Sequence, residues 1–203
     1  GIVVGFDVTR NMFSSGNGTE KARVARFPCA GSTVVDLYAG IGYFTLPYLV
    51  HAGAAHVHAC DHDADACAAL AHNLRRNKVE GRCTIHEGDN TAHVAKFAGC
   101  ADRVNLGLIP SSAAGWPVAV RALRADGGWL HVHMNVSSAI EERAKSVRDV
   151  VDEIAEIARV AGRRWVLRVD HVERVKRYAP RIDHVVIDVE VSPEAEQDLR
   201  DET

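Results

Sequence analysis

Short apolar runs alternate with longer stretches of helical spacing along most of the chain, the pattern of a parallel sheet covered by helices. Thr33–Tyr38 reads as a buried strand. Gly40-Ile41-Gly42 breaks it, and Tyr43–Ala52 resumes with helical spacing, Pro47 being tolerable in a first turn. His56–Asp61 alternates and reads as a second strand, followed by an alanine-rich helix over Asp63–Asn77 with Asp61 or Asp63 as its N-cap. Arg82–His86, Asp102–Leu108 and Trp129–Val136 are the next strands, with helices predicted over Thr91–Ala98 and Trp116–Arg124 between them. Ser138–Ala161 is the longest helix, with Ile140, Val147, Val151, Ile154, Ile157 and Ala158 on its apolar stripe. Arg164–Val175 and His184–Val191 are strong strands joined by a turn containing Pro180, which predicts an antiparallel final pair.

Composition narrows the class. With 203 residues, 47% of them hydrophobic and 25% charged, the chain can build one proper core, and disorder is excluded as its main state. No apolar run reaches the roughly 18 uncharged residues of a membrane span. Gly1–Arg10 lacks a signal-peptide layout, and a start at Gly1 rather than Met reads as a piece of a longer protein. Cys29, Cys60, Cys67, Cys83 and Cys100 form no C-x-x-C pair, so neither a disulfide framework nor a zinc site is indicated. A reducing, cytoplasmic location is the expectation. The organisation read is a lead-in over residues 1–28, one domain over 29–193, and an acidic tail over 194–203. The net charge of -3 excludes coating of nucleic acid by bulk charge. Arg159, Arg163, Arg164, Arg168, Arg174, Lys176, Arg177 and Arg181 nevertheless crowd a stretch with only Asp170 and Glu173 against them, either a solvated face or an edge that contacts phosphates.

The chemistry concentrates at the ends of successive strands. Asp36-Leu37-Tyr38-Ala39-Gly40-Ile41-Gly42 lies where a strand turns into a helix, and Gly40 and Gly42 let backbone pass close to a ligand. Asp61 closes the second strand, where a carboxylate accepts hydrogen bonds from both ribose hydroxyls of an adenosine. Asp89-Asn90 follows the third, an acceptor and an amide placed for an adenine ring. Thr45 stands where a dinucleotide motif has its third glycine, and Asp36 would repel a pyrophosphate but suit an ammonium group. S-adenosylmethionine, with an ammonium and no phosphate, is therefore favoured over NAD. The strand–helix order with a reversed last strand is similar to the α/β, Rossmann-like fold of class I S-adenosylmethionine-dependent methyltransferases. Asn105, closing the fourth strand, is the acceptor-side candidate for a catalytic residue.

Met12-Phe13-Ser14-Ser15-Gly16-Asn17, then Glu20-Lys21-x-Arg23 and the D-L-Y-A-G-I-G-Y-F segment, resemble the family of tRNA position-37 modifying enzymes. That family joins guanine-N1 methyltransferases to wybutosine-synthesising aminocarboxypropyl transferases. Asn105-Leu106-Gly107-Leu108-Ile109-Pro110-Ser111-Ser112 resembles the second branch, because the methyl branch typically has proline where Gly107 stands. The resemblance covers about Asp7 to Val191. It implies transfer of a 3-amino-3-carboxypropyl group to 4-demethylwyosine in tRNA(Phe), with guanine-N1 methylation as the alternative, and RNA-binding structure upstream. It further implies cofactor contacts from Ser14, Lys21, Asp61, Asp89 and Asn90. Where the family usually has Glu-x-Asn-Pro, this chain has Asp61-His62-Asp63-Ala64, one methylene shorter at the acid. The resemblance gives no metal, and His56, His58, His131 and His133 read as packed or partly exposed. Tyr38, Tyr43 and Phe44 are base-stacking or core residues, Trp116 an acceptor wall or packing, and Lys176 and Tyr178 tRNA contacts or a structural turn. A cofactor-binding scaffold without activity and a dehydrogenase are the readings from other classes.

Overall fold

A computed structural model describes residues 1–11 and 15–195. Its strands are β1 (Thr33–Asp36), β2 (His56–Asp61), β3 (Cys83–Glu87), β4 (Arg103–Leu106), β5 (Gly128–Ser137), β6 (Trp165–Ala179) and β7 (Ile182–Pro193). They form one sheet in the order β3-β2-β1-β4-β5-β7-β6. The first five run parallel, and β7 lies antiparallel between β5 and β6. The reversed strand is thus internal, and β6 takes the edge. Side-chain chemistry explains the choice: β7 is buried continuously from Asp183 to Val189, whereas β6 is charged and mostly exposed, as an edge strand should be.

The helices are α1 (Gly18–Val24), α2 (Thr45–Val50), α3 (Ala64–Arg76), α4 (Asn90–His93), α5 (Trp116–Ala122) and α6 (Ile140–Val160). Asp63 caps α3 by accepting from the backbone N–H groups of Asp65 and Ala66. The first strand stops at Asp36 rather than Tyr38 because Leu37 and Tyr38 already enter the glycine bend, and α2 begins only at Thr45, past that bend. Thr91–Ala98 breaks into the short α4 and a 3-10 turn over Val94–Lys96. On α6 the core stripe runs through Val147, Val150, Ile154 and Ala158; Ile140, in the first turn, is 82% exposed and leaves the core.

Alternation on the strands divides the core. Leu130, Val132, Val185, Ile187 and Val189 join the apolar cluster that includes Val147, Val150 and Ile154 of α6. The residues between them, His131, His133, His184 and Asp188, fill the other face together with Arg103 and Asn105, and all are buried. α1 and Phe27 cover part of this polar half. Arg23 on α1 pairs with Asp188 and also grips Glu20 at 2.7 Å. Phe27 stacks on His131 at 4.8 Å between the guanidiniums of Arg23 and Arg103. Arg103 donates to His131 Nε2 (3.3 Å), which leaves the ring's hydrogen on Nδ1, donated to Asp188 Oδ1 at 2.6 Å. At the start of the lead-in, the N–H groups of Val3 and Gly5 donate to Asn77 and Asn73 of the α3 terminus.

Burial holds His86 and His184 down at about 4 and pushes His131 and His133 below the usual imidazole range as well. Unfolded histidines take up protons below about pH 6.5, so the unfolded chain binds more protons than the folded one there. Stability contributed by these rings is complete above that pH and is lost as pH falls toward 4. Asp36, raised to about 6 by burial, opposes this between its unfolded value and pH 6, but as one group against four. The melting temperature is expected to drop by roughly 5 °C or more from pH 7 to pH 5; a flat or rising profile in calorimetry would contradict the assignment.

Candidate active site

The bend after β1 is built on Asp36. This carboxylate is fully buried and accepts hydrogen bonds from Thr45 Oγ1 (2.8 Å) and Asn105 Nδ2 (3.0 Å). Desolvation lifts its pKa to about 6 despite those donors. Gly40 and Gly42 have φ values of 54° and 103°. A Cβ on Gly42 would stand 2.9 Å from Leu70 Cδ1 and 3.0 Å from Leu46 Cγ. Gly42→Ala is expected to cost roughly 2–4 kcal/mol in urea unfolding, backbone strain adding to overpacking; a cost below about 0.5 kcal/mol would remove that account.

Asp61, at the end of β2, closes onto the bend. Its Oδ2 accepts the Gly40 N–H at 2.7 Å and its Oδ1 the Asp63 N–H at 3.0 Å. The shorter side chain is met by backbone, and each oxygen keeps lone-pair capacity for a further donor. Asp89 uses Oδ1 to cap α4, accepting from the Thr91 N–H (2.8 Å) and Oγ1 (2.7 Å). Asn90 reaches back to the Leu37 carbonyl at 3.3 Å. Asp61, Asp89 and Asn90 line one cavity of about 370 Å³, walled by Leu37, Tyr38 and Leu108. Tyr38 is one of the stacking candidates of the sequence; Leu37 and Leu108 were not singled out there, although both sit inside the segments that mark the site.

Other candidates fall elsewhere. Asn105 is 0% exposed and holds Asp36 through its amide, so in this structure it is a positioning residue behind the bend rather than a group displayed to an acceptor. Asp36 is likewise enclosed and already occupied by its donors, which corrects the expectation of an ammonium contact at its carboxylate. Lys21 lies on the far side of Gly42, over the Tyr43 ring at 5.3 Å, with its pKa lowered by desolvation. It borders a larger cavity of about 680 Å³ between α1 and α2, walled by Ile41, Leu46 and Pro47. That cavity has no carboxylate, so the smaller one is the better match to a sugar and an adenine. Ser14 lies outside the described residues.

Phe44 and Trp116 are core residues, Trp116 donating its indole N–H to Ser112 Oγ at 3.3 Å. In the basic stretch Arg159, Arg168 and Arg174 are paired with Glu156, Glu190 and Asp183. His58 Nδ1 and His86 Nε2 contact one another at 3.0 Å. Among the described residues no group of three or more His, Cys, Asp or Glu is arranged to hold a metal ion.

The family model described as the TRM5/TYW2 methyltransferase domain matches residues 1–161. This chain belongs to that family. It is 49% identical over 217 residues to the Danio rerio tRNA wybutosine-synthesizing protein 2 homolog, covering 93% of this chain and 53% of that protein. It is 50% identical over 189 residues to the Arabidopsis thaliana tRNA wybutosine-synthesizing protein 2/3/4, covering 93% of this chain and 19% of the other. The chain thus spans about half the length, or less, of the curated relatives it matches. Among solved structures it superposes on M. jannaschii TYW2 in complex with AdoMet with a TM-score of 0.79 at 28% identity, covering 93% of this chain and 81% of that one. Trm5b from Pyrococcus abyssi follows at 0.77 and 27%, covering 93% and 53%. The mostly parallel sheet with one reversed strand is the fold anticipated from the element order.

Proposed function

We propose that this chain carries the transfer site of an enzyme that moves the 3-amino-3-carboxypropyl group of S-adenosylmethionine to 4-demethylwyosine at position 37 of tRNA(Phe). The observation that carries the reading is the convergence of Asp61, Asp89 and Asn90 on one cavity beside the glycine bend. The residues fit the cofactor. Asp61 has acceptor capacity for a ribose diol, Asp89 keeps an oxygen beyond its cap for an exocyclic amine, and Leu37 and Leu108 offer apolar walls to a purine. When bound, the cofactor supplies a sulfonium whose attached carbons are all electrophilic; the protein selects among them by which one it holds in line with the acceptor. Lys21, across the bend, is assigned to the cofactor carboxylate. Lys21→Ala is expected to weaken cofactor binding about 10–100-fold in calorimetry, the range of a charged hydrogen bond; unchanged affinity removes the assignment.

Similarity to the wybutosine proteins and Gly107 in place of the methyl branch's proline favour this transfer over guanine-N1 methylation. A tRNA partner is supported by Lys176, Arg177 and Arg181 at the β6–β7 hairpin, whose tip also exposes Tyr178. A cytoplasmic location is supported by five free cysteines. The test is incubation of the full-length protein with tRNA and S-adenosylmethionine labelled separately in the methyl and carboxyl carbons. Carboxyl label on tRNA with release of methylthioadenosine is expected. Methyl label with adenosylhomocysteine would establish the alternative, and neither label would leave a binding domain.

A further inference from the structure

On the sheet face that carries Asp36 and Asn105, β5 and β7 hold two histidines that the cofactor cavity does not use. His133 and His184 are each 1% exposed. His133 Nδ1 stands 3.1 Å from His184 Nε2, with ring centroids 5.2 Å apart. Their outer nitrogens, His133 Nε2 and His184 Nδ1, are buried without a hydrogen-bond partner, as are Oδ1 of Asn105 and Oδ1 of Asn135. An unmet buried polar atom costs about 1–3 kcal/mol, and these four lie on three neighbouring strands, β4, β5 and β7.

Register ties the pair to the site. Asp36 aligns with Asn105 and Asn105 with His131, so His133 lies two residues further toward the carboxyl edge on the same face. Phe44, at the end of the glycine bend, packs on His133 with centroids 4.9 Å apart. Beside it, a Cβ on Gly107 would meet Asn105 Nδ2 at 3.1 Å and Phe44 Cε2 at 3.3 Å, so glycine there lets Asn105 and Phe44 pack close to the loop. Ser112 donates its hydroxyl to the His133 carbonyl and Asn135 its N–H to the Pro110 carbonyl. The loop that resembles the aminocarboxypropyl branch is thereby fastened to the strand that carries His133.

The contact between the rings uses one hydrogen. Two neutral imidazoles carry one hydrogen each, so the pair always presents one N–H and one bare nitrogen outward, whichever ring donates within. Burial keeps both rings neutral at pH 7, and Lys176 reinforces this at His184.

We propose that the His133–His184 pair faces the acceptor base and takes up the proton that the base sheds on group transfer, with Asn135 beside it on the same strand face. This rests on the transfer reading above. In the step, a bond forms between the acceptor atom and the carbon of the donor's propyl arm. The carbon–sulfur bond breaks, its electron pair staying on sulfur. The hydrogen on the acceptor atom passes as a proton to the bare imidazole nitrogen, its electron pair restoring the aromatic ring, and the proton leaves to water with the product. An alkylated ring atom that still bears hydrogen is cationic and strongly acidic, so a weak neutral base suffices.

The test uses the full-length enzyme and the variants His133→Gln, His133→Ala and His184→Gln, with cofactor affinity held within about threefold as the folding control. Turnover is expected to fall about 100-fold or more, and added imidazole to restore His133→Ala by about tenfold. In wild-type protein with 15N-labelled histidine, acceptor tRNA without cofactor is expected to shift the His133 and His184 signals. Turnover within about threefold of wild type, no recovery in imidazole, or histidine signals indifferent to tRNA would each overturn the proposal. Failure of the wild-type enzyme to place carboxyl label on tRNA would strike the transfer reading instead.

Discussion

Arg23→Ala is expected to cost about 3–5 kcal/mol in urea unfolding, because it strands two buried carboxylates. Glu20 is 1% exposed and Asp188 4%, and the guanidinium lies between them with hydrogen bonds to both. Asp188 is held well below the usual carboxylate range by His131 and Arg23 even though its burial acts the other way. Removing the cation leaves Glu20 and Asp188 facing each other in a poorly solvated layer, and α1 loses its clamp to β7. Arg23→Lys keeps the charge but not the two-pronged fork, so it should recover only part of the loss. The same substitution releases the helix that carries Lys21, so cofactor affinity should fall with stability. A loss below about 1 kcal/mol would mean that the carboxylates find other partners and that α1 is held by Phe27 and its apolar neighbours alone.

Asp61→Ala is expected to raise the cofactor dissociation constant about 100-fold, the equivalent of roughly 2.7 kcal/mol from charge-assisted hydrogen bonds to a diol. Global stability should change far less, since Asp61 is not part of the sealed core. Two effects combine in the affinity: the acceptor for the ribose disappears, and the Gly40 N–H loses the carboxylate that draws the bend toward β2. Asp61→Glu separates them. It restores the acid that the family usually carries here, so affinity within about tenfold of wild type is the expected result. Isothermal titration of both variants decides the matter; binding by Asp61→Ala at wild-type strength would remove the adenosine from this cavity.

Much of this was legible before any coordinates. Asp36, Gly40, Asp61 and Asp89-Asn90 each end a strand in a chain with five strand–helix units, and parallel strands bring their carboxyl ends to one edge whatever the details of packing. The antiparallel ending was legible because two strong strands were joined by a turn too short for a crossover. The alternation Leu130, Val132 against His131, His133 already announced one apolar and one polar face on β5, although not what would cover the polar one.

Local pattern could not say which side chains at the strand ends face a ligand and which lie behind it. Asp36 and Asn105 look as available as Asp61 on paper, yet one donates to the other inside the protein, because β1 and β4 are neighbours only in three dimensions. Ile140 fits the helical stripe but falls in the first turn, ahead of the buried positions that begin at Val147. Arg23, Asp188, His131 and Arg103 are distant in sequence, and Coulomb interactions carry no sequence period, so their chain of contacts came only with the tertiary structure. What the chain order settled was the edge where chemistry collects, since strand direction is a local property. Depth, partners and proton positions were decided by packing, since they depend on which surfaces meet.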